Sequence, residues 1–302
     1  AGGIWSAIPT PRLNRMPNIA YSWLNSVSYV TGSHSFKLGM TYGWGTIQRT
    51  QSLVGDLVQR YSGGKPNSVV VYNTPTISQV NNTYDIGIYL QDSWKLNRLT
   101  LNPGIRFDAF NSLYEAQSSP AGRFVPARNF PAAPLSEQPR WKNVSPRLGA
   151  VLDVFGDNKT ALKASWSRYV RNYTSGFTDN YNPVILSSDT RTWSDLNGDD
   201  IAQDNEIGPS TNANFGIKSS RTKQPDLRRP TNTEIGASVQ RQIIEGMSFS
   251  LAYTYRSYDN MIATRNVAVQ PMGSSNTTGY TPVSVPDPRN NGQTVTVYNL
   301  NP

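Results

Sequence analysis

The sequence predicts an all-β chain: part of an antiparallel, up-and-down transmembrane β-barrel with short turns at one end and long loops at the other. Three observations predict it. Apolar and polar residues alternate in stretch after stretch, and the connections between those stretches are strongly unequal in length. No apolar run reaches the roughly 18 residues that a membrane helix needs, which excludes helical spanning and says nothing against strands that are only half apolar.

The stretch "NRLTLNPGIRFDAF", Asn97 to Phe110, shows the alternation most fully. Leu99, Leu101, Ile105 and Phe107 are in one phase with Pro103, whereas Thr100, Asn102, Gly104, Arg106 and Asp108 occupy the other. Successive strand side chains point to opposite faces, so one face is apolar and the other polar. "HSFKLGMTYGW" sets Phe36, Leu38, Met40, Tyr42 and Trp44 against Lys37, Gly39 and Thr41, and "DIGIYLQDSW" sets Ile86, Ile88 and Leu90 against Asp85, Gly87, Tyr89 and Gln91. "RLGAVLDVF" and "TALKASWSRY" follow, with Leu148, Ala150, Leu152, Leu162, Ala164 and Trp166 in the apolar phase and Arg147, Asp153 and Lys163 opposite. "EIGASVQRQI" sets Ile235, Ala237 and Val239 against Glu234, Gly236 and Ser238; "MSFSLAYTYRSY" sets Phe249, Leu251, Tyr253 and Tyr255 against Ser250, Thr254 and Arg256. "IAYSWLNSVSYV" is a weaker member, making about eight candidate strands.

A soluble sandwich gives the same alternation with its apolar face inside, so the connections decide. "TGS", "LNR", "FGDN" and "EG" are tight-turn sequences. Between the hairpins they close lie long polar segments at about Arg49 to Ser78, Asn111 to Arg140, Tyr173 to Pro230 and from Asp259 onward. Such loops are uncommon in compact soluble domains, and the short–long alternation fits short periplasmic turns and long extracellular loops. Tyr84, Tyr89, Trp94, Trp166, Tyr169, Tyr173, Tyr253, Tyr255 and Tyr258 lie at or near strand ends, where amphipathic rings suit a membrane interface. The apolar phase is therefore expected to face lipid, and Arg106 and Asp108 a wet interior. In a soluble fold, Leu101, Leu152, Val239 and Leu251 would instead be buried together.

Composition agrees. Hydrophobic residues make up 37% and charged residues 16%, too few of either for a bundle of surface helices. Cysteine is absent, which excludes disulfides and thiolate metal sites. The net charge of +8 is spread without a dense Lys/Arg block, so it is read as lumen and loop charge and no nucleic-acid partner is expected. "AGGIWSAIPTPR" lacks the features of a signal peptide.

Four segments in order resemble TonB-dependent outer-membrane receptors, closest to those with a carboxypeptidase-regulatory-like domain before the plug. They are "GSHSFKLGM", "GIYLQDSWKLNRLTLNPGIRFD", "VSPRLGAVLDVFGDNKTALKASWSRY" and "DLRRPTNTEIGASVQRQIIEGMSFSLAYTYRS", together covering most of Gly32 to Tyr258. The resemblance implies a large plugged barrel in the outer membrane of a Gram-negative bacterium, in contact with outer-membrane lipid. It also implies a periplasmic energy-coupling protein and an imported ligand, for which glycan, peptide and metal chelate all stay open. No plug, no energy-coupling box and no aromatic closing strand is found; the chain ends "VYNLNP". Against the roughly 22 strands of outer-membrane transporters, residues 1–302 are expected to be an internal part of one barrel domain. A soluble all-β hydrolase, glycosidase- or esterase-like, and a surface adhesion protein that does not transport are the alternatives.

Few residues point to chemistry. "DLNGDDIAQDNE" places oxygen ligands at Asp195, Asn197, Asp199 and Glu206, with the Ile201 carbonyl between, at the spacing of a loop that holds a structural Ca2+. Asp200 stands where the turn glycine is expected and the flanks lack helical periodicity, so this is no EF-hand; a solvated acidic turn is the alternative. His34 is the sole histidine, so a Ser-His-Asp triad would have to use it. Its neighbours Ser33 and Ser35 flank it on a strand, and a plain strand-start residue is the preferred reading; no catalytic residue is assigned. Asp85, Asp108, Asp153 and Glu234 fall in the polar phase, where pairing with Arg106, Arg147 and Lys163 explains them without an enzyme. Asp92 falls in the apolar phase near a strand end, as an interface residue would. "GGK" at Gly63 to Lys65 is no phosphate loop, and "RRP" at Arg228 to Pro230 is too short for a nucleic-acid patch.

Overall fold

The structure, a computed structural model, describes residues 12–15, 18–216, 221–265, 279–287, 289 and 292–300. Residues 1–11 of the leading stretch, 266–278 of the last long segment and 301–302 at the end lie outside the described residues. In chain order the strands are β1 (Arg12–Arg15), β2 (Asn18–Thr31), β3 (His34–Ser52), β4 (Leu57–Ser62), β5 (Lys65–Tyr72), β6 (Thr76–Leu96), β7 (Leu99–Leu113) and β8 (Gln117–Ser119). There follow β9 (Arg128–Phe130), β10 (Trp141–Asp153), β11 (Thr160–Val170), the one-turn helix α1 (Gly176–Asp179), β12 (Ser188–Thr192), β13 (Thr231–Ile244), β14 (Met247–Asp259), β15 (Tyr280–Pro286) and β16 (Thr294–Leu300).

Nine strands form one antiparallel sheet in the order β1-β3-β6-β7-β10-β11-β13-β14, with β2 also on β3. Its long members are the eight alternating segments of the sequence. Their lengths run from 11 to 21 residues, at or beyond the roughly 9–11 that a tilted membrane strand needs. Consecutive long strands meet at short turns on one end, and each short turn uses a left-handed residue: Gly32, Asn97, Asn158 and Gly246 have φ of 55°, 50°, 59° and 78°. Glycine, and next to it asparagine, takes that conformation at low cost. Among the described residues no ladder joins β2 to β14, so the sheet is open, as part of a barrel would be.

Register makes the two faces continuous. Leu96 pairs with Leu99, Leu99 with Leu152, Leu152 with Leu162, Leu162 with Val239 and Val239 with Leu251, one apolar row across six strands. Its neighbour runs Leu101, Ala150, Ala164, Ala237, Tyr253. None of this is a core. Leu90, Ile105 and Leu251 are 49%, 51% and 63% exposed, and Leu101 and Val239 are only half-buried. Hydrocarbon is the solvent that makes such a face favourable, since a soluble protein rarely exposes so large a patch.

The other face carries charges and glycines. Small residues there let long side chains lie across the sheet: a Cβ on Gly87 would overlap the Arg106 guanidinium, and one on Gly39 the Tyr89 ring. Tyr89 and Tyr169 thus belong to the inner face and Tyr173 to a loop core, so the expected aromatic belt is smaller than the sequence suggests. Trp94, Trp166, Tyr253 and Tyr255 keep their outward phase, and Tyr21 stacks on Trp44 at 5.1 Å.

The long polar segments are not structureless. The first supplies β4 and β5, and the third supplies β12, which completes a three-stranded sheet in the order β12-β5-β4. "GGK" is the turn between β4 and β5, with Gly63 and Gly64 at φ 60° and 78°. Val69 and Val71 are fully buried there with Trp193 and Ala202, against Leu57, Tyr61, Phe124, Ile207 and Phe215. This small apolar core lies in the loops, outside the membrane-spanning sheet. The described residues divide into two compact units, residues 1–260 and 261–302; in the second, β15 and β16 pair as a hairpin.

Candidate functional site

Where the loops meet the inner face of the sheet, aromatic residues replace the charges. Phe110 follows Asp108 in the inward phase and is completely buried, 6.1 Å from the Trp141 ring across β7 and β10. Phe177, from α1, lies tilted against Trp141 at 4.7 Å and edge-on to Tyr173 at 4.9 Å. Trp141 donates its indole N–H to the Leu227 carbonyl at 2.7 Å, tying in the segment before β13. Burial, with the Tyr173 charge as a lesser cause, pushes the Tyr181 phenol beside this cluster up to about 12. Arg49 pairs with Asp179 and Ser112 bonds Thr178, fastening α1 to β3 and β7.

Below this plug of rings lies a polar recess of about 270 Å³, lined among others by Asp85, Arg106, Asp108, Ser145, Arg147 and Arg229. The strands set its floor by register: Arg106 faces Tyr89 on one side and Ser145 on the other, and Asp108 faces Gly87 and Asn143. Irregular pairing opposite Gly43 and around Thr83 leaves β6 bulged next to Asp85, a common device beside functional sites. Arg106 donates to Asp108 at 2.7 Å, while Arg147 lies 4.7 Å over the Tyr169 ring. Arg229 enters from the loop: it donates to the Arg171 carbonyl at 2.6 Å and to Asn172 at 3.4 Å. Burial pulls the Arg229 pKa below the ordinary arginine value, opposed by the attraction of Asp108 and Asp85.

Three polar atoms of this recess are buried and have no hydrogen-bond partner: Asp108 Oδ2, Ser145 Oγ and Arg229 Nη1. The sequence reading singled out Asp85, Asp108, Arg106 and Arg147 by phase. Phase alone does not mark Ser145, Asn172 and Arg229; for Arg229 the available signal is a cation just before a strand start, in "RRP". The expected pairings are corrected in part. Glu234 takes Arg256 at 2.5 Å rather than Arg147 or Lys163, because Arg256 stands directly opposite on β14. Lys163 donates to Gln240 at 3.2 Å, and Asp153 caps the backbone of Gly156 and Asn158 in a turn.

The acidic loop lies beside the β12-β5-β4 core. Asp195 accepts the backbone N–H groups of Gly198 and Asp200, at 2.8 and 3.1 Å. The side chains of Asn197, Asp199 and Gln203 meet within 3.2 Å of one another. Glu206 turns inward, accepting from the backbone of Leu196 at 2.8 Å and of Gln203 at 3.2 Å, and from the Trp193 indole at 3.4 Å. Ile201 donates its N–H to Asp199. Among the described residues, no group of three or more His, Asp or Glu side chains is gathered closely enough to hold a metal ion.

His34 Nδ1 lies 2.6 Å from the Asp92 carboxylate, whose other oxygen accepts the Ser35 backbone N–H at 3.1 Å. The imidazole is stacked at 5.1 Å on Trp94. A His–carboxylate pair is thus present at the short-turn end, on the apolar face, with Ser35 contributing backbone rather than a nucleophilic hydroxyl.

The comparisons agree with this architecture. A family model described as an outer membrane beta barrel domain matches residues 6–301. The TonB-dependent transporter Oar of Myxococcus xanthus is 22% identical over 222 residues, 65% of this chain and 19% of that protein. The chain therefore spans about a fifth of that relative's length. An apolar belt facing lipid, a polar inner face and these similarities place the chain in the outer membrane of a Gram-negative bacterium. It belongs to the outer membrane beta barrel domain family.

Proposed function

We propose that this chain is the barrel segment of a TonB-dependent receptor. In this reading it binds a ligand between its outer loops and its inner face, and passes it inward with energy from a periplasmic coupling protein. The observation that carries it is the recess at the junction of loops and bore, where buried polar atoms of three side chains face inward without a partner. A surface adhesion protein has no use for such groups deep on the inner face, and the likeness to a named TonB-dependent transporter points the same way.

The test is site-directed crosslinking of the full-length protein to the periplasmic energy-coupling protein in intact cells. Transport predicts capture; adhesion and hydrolysis predict none. Heat-modifiable migration in detergent is expected in either case, because it reports the barrel alone.

We propose in addition that the Asp195–Glu206 loop takes a structural Ca2+. The supporting observation is that the Asn197 amide nitrogen draws the Asp199 carboxylate and the Gln203 side-chain oxygen together, and such oxygens are the hard donors that Ca2+ prefers. Asp195, Glu206 and the Ile201 carbonyl supply the rest after a rotation of Glu206 away from its backbone partners. Calcium should then slow proteolysis of the loop in the wild type and not in Asp199→Asn. Equal proteolysis with Ca2+ and with chelator would leave the loop as a turn locked by its own hydrogen bonds.

A further inference from the structure

The recess has a charge inventory that selects among ligands. Three guanidinium groups and two carboxylates line it, and several of them are engaged by one another or by their neighbours. Arg106 is held by one oxygen of Asp108, Arg147 by the Tyr169 ring, and two edges of Arg229 by Arg171 and Asn172. Among the fully buried polar atoms of the recess, those left without a partner are one cationic donor, Arg229 Nη1; one hydroxyl, Ser145 Oγ; and one anionic acceptor, Asp108 Oδ2. These residues are 3%, 1% and 6% exposed, so bulk water does not reach them freely. Each buried polar group without a partner costs about 1–3 kcal/mol, more when it is charged.

A lone anion on Arg229 would be repelled by Asp108 and Asp85, and a lone cation on Asp108 would meet three guanidinium groups. A neutral polyol would satisfy hydrogen bonds but bring no charge of its own to Arg229 Nη1 or Asp108 Oδ2. A volume of about 270 Å³ is below the usual range for drug-sized ligands, so the occupant is small.

We propose that the recess binds a small zwitterion of the size of a free α-amino acid, its carboxylate on Arg229 and Ser145 and its ammonium on Asp108. This rests on the receptor reading above and names the ligand class of that site.

The experiment is equilibrium binding to the full-length protein in detergent, using four probes: L-alanine, L-alaninamide, N-acetyl-L-alanine and glucose. L-Alanine is expected to bind saturably. The cation-only and anion-only analogues should each bind about tenfold or more weakly, since each leaves one charged group unpaired. Arg229→Gln and Asp108→Asn should both weaken L-alanine. Asp108→Asn should also abolish the discrimination against N-acetyl-L-alanine, which loss of packing alone would not do. Equal binding of L-alanine and N-acetyl-L-alanine by the wild type would make this a plain anion site and overturn the proposal. Tighter binding of glucose, or binding of none of the four, would overturn it as well. Heat-modifiable migration of each variant reports folding separately, and crosslinking to the coupling protein tests the receptor reading whatever the probes do.

Discussion

Two regions of this chain put their apolar side chains in opposite places. In the loop module Val69 and Val71 are fully buried and Trp193 is 2% exposed, the arrangement of any water-soluble core. In the spanning sheet Leu90, Ile105 and Leu251 are about half exposed or more, while Asp108 and Ser145 on the opposite face are buried. The residues have the same chemistry; the solvent differs. Water on all sides drives Val69 inward, whereas hydrocarbon outside and water inside leave Leu90 no reason to be covered. Exposure of a leucine therefore means opposite things a few strands apart.

The comparison is broken most severely at Trp193. Truncation to Ala removes the centre of the loop core and its contact with Tyr61, which should cost about 3–5 kcal/mol. Hydrogen exchange should accelerate in β5 and β12 while the spanning strands keep their protection. A collapse of both would mean that the loop core also holds the sheet. Next in size is Leu90→Arg, set against Gln91→Arg on the adjacent inward position. Arginine toward lipid should cost about 2–4 kcal/mol, and arginine toward the bore less than about 1 kcal/mol. Denaturation of the full-length protein folded into lipid vesicles measures both, and equal costs would deny the two faces their different solvents.

Acid should separate the regions again. Asp189 is buried in the loop module, which raises its pKa, but hydrogen bonds from Ser210, Arg191 and Thr211 and the Arg191 charge outweigh this and leave it lowered. A carboxyl with a folded pKa below its unfolded value stabilises at neutral pH. That contribution is complete above about pH 4 and is lost as pH falls through the folded value. Loop proteolysis should therefore rise below about pH 4 in the wild type. Asp189→Asn should be less stable at neutral pH and flatter across the same range.

What was legible in the sequence was whatever is decided locally. Period-two alternation from Phe36 to Trp44 and from Leu99 to Phe107 needs only neighbouring residues, and the turns at Gly32, Asn97 and Gly246 need only local backbone freedom. The loop module was not legible, because β12 pairs with β5 across more than a hundred intervening residues. The run "VVVY" at Val69 to Tyr72, bounded by polar residues, was the local hint of a buried strand. Phase identified Arg106 and Asp108 as inward-facing, but not that Phe110, two residues on in the same phase, would be buried beside Trp141 and Arg229. The recess needed the same long-range information, since Arg229 and Asn172 reach it from a loop whose course no periodicity records.

The smallest test concerns a carboxylate in the apolar phase. Asp92 lies on the lipid side of β6 near the short turns, paired with His34 and flanked by Trp94, with the two side chains 13% and 33% exposed. If the apolar belt ends where sequence and register place its edge, this pair sits in the headgroup region, where water and lipid charges screen it. Partly exposed pairs there are worth about 1 kcal/mol or less. His34→Ala should therefore cost about that much, since Asp92 still accepts the Ser35 N–H, and Asp92→Asn less, because the amide oxygen can keep that bond. A loss from His34→Ala as large as that from Leu90→Arg would place the pair in hydrocarbon, where an ion left without its partner is expensive. The boundary between the chain's two solvents would then lie beyond the turns rather than beside them.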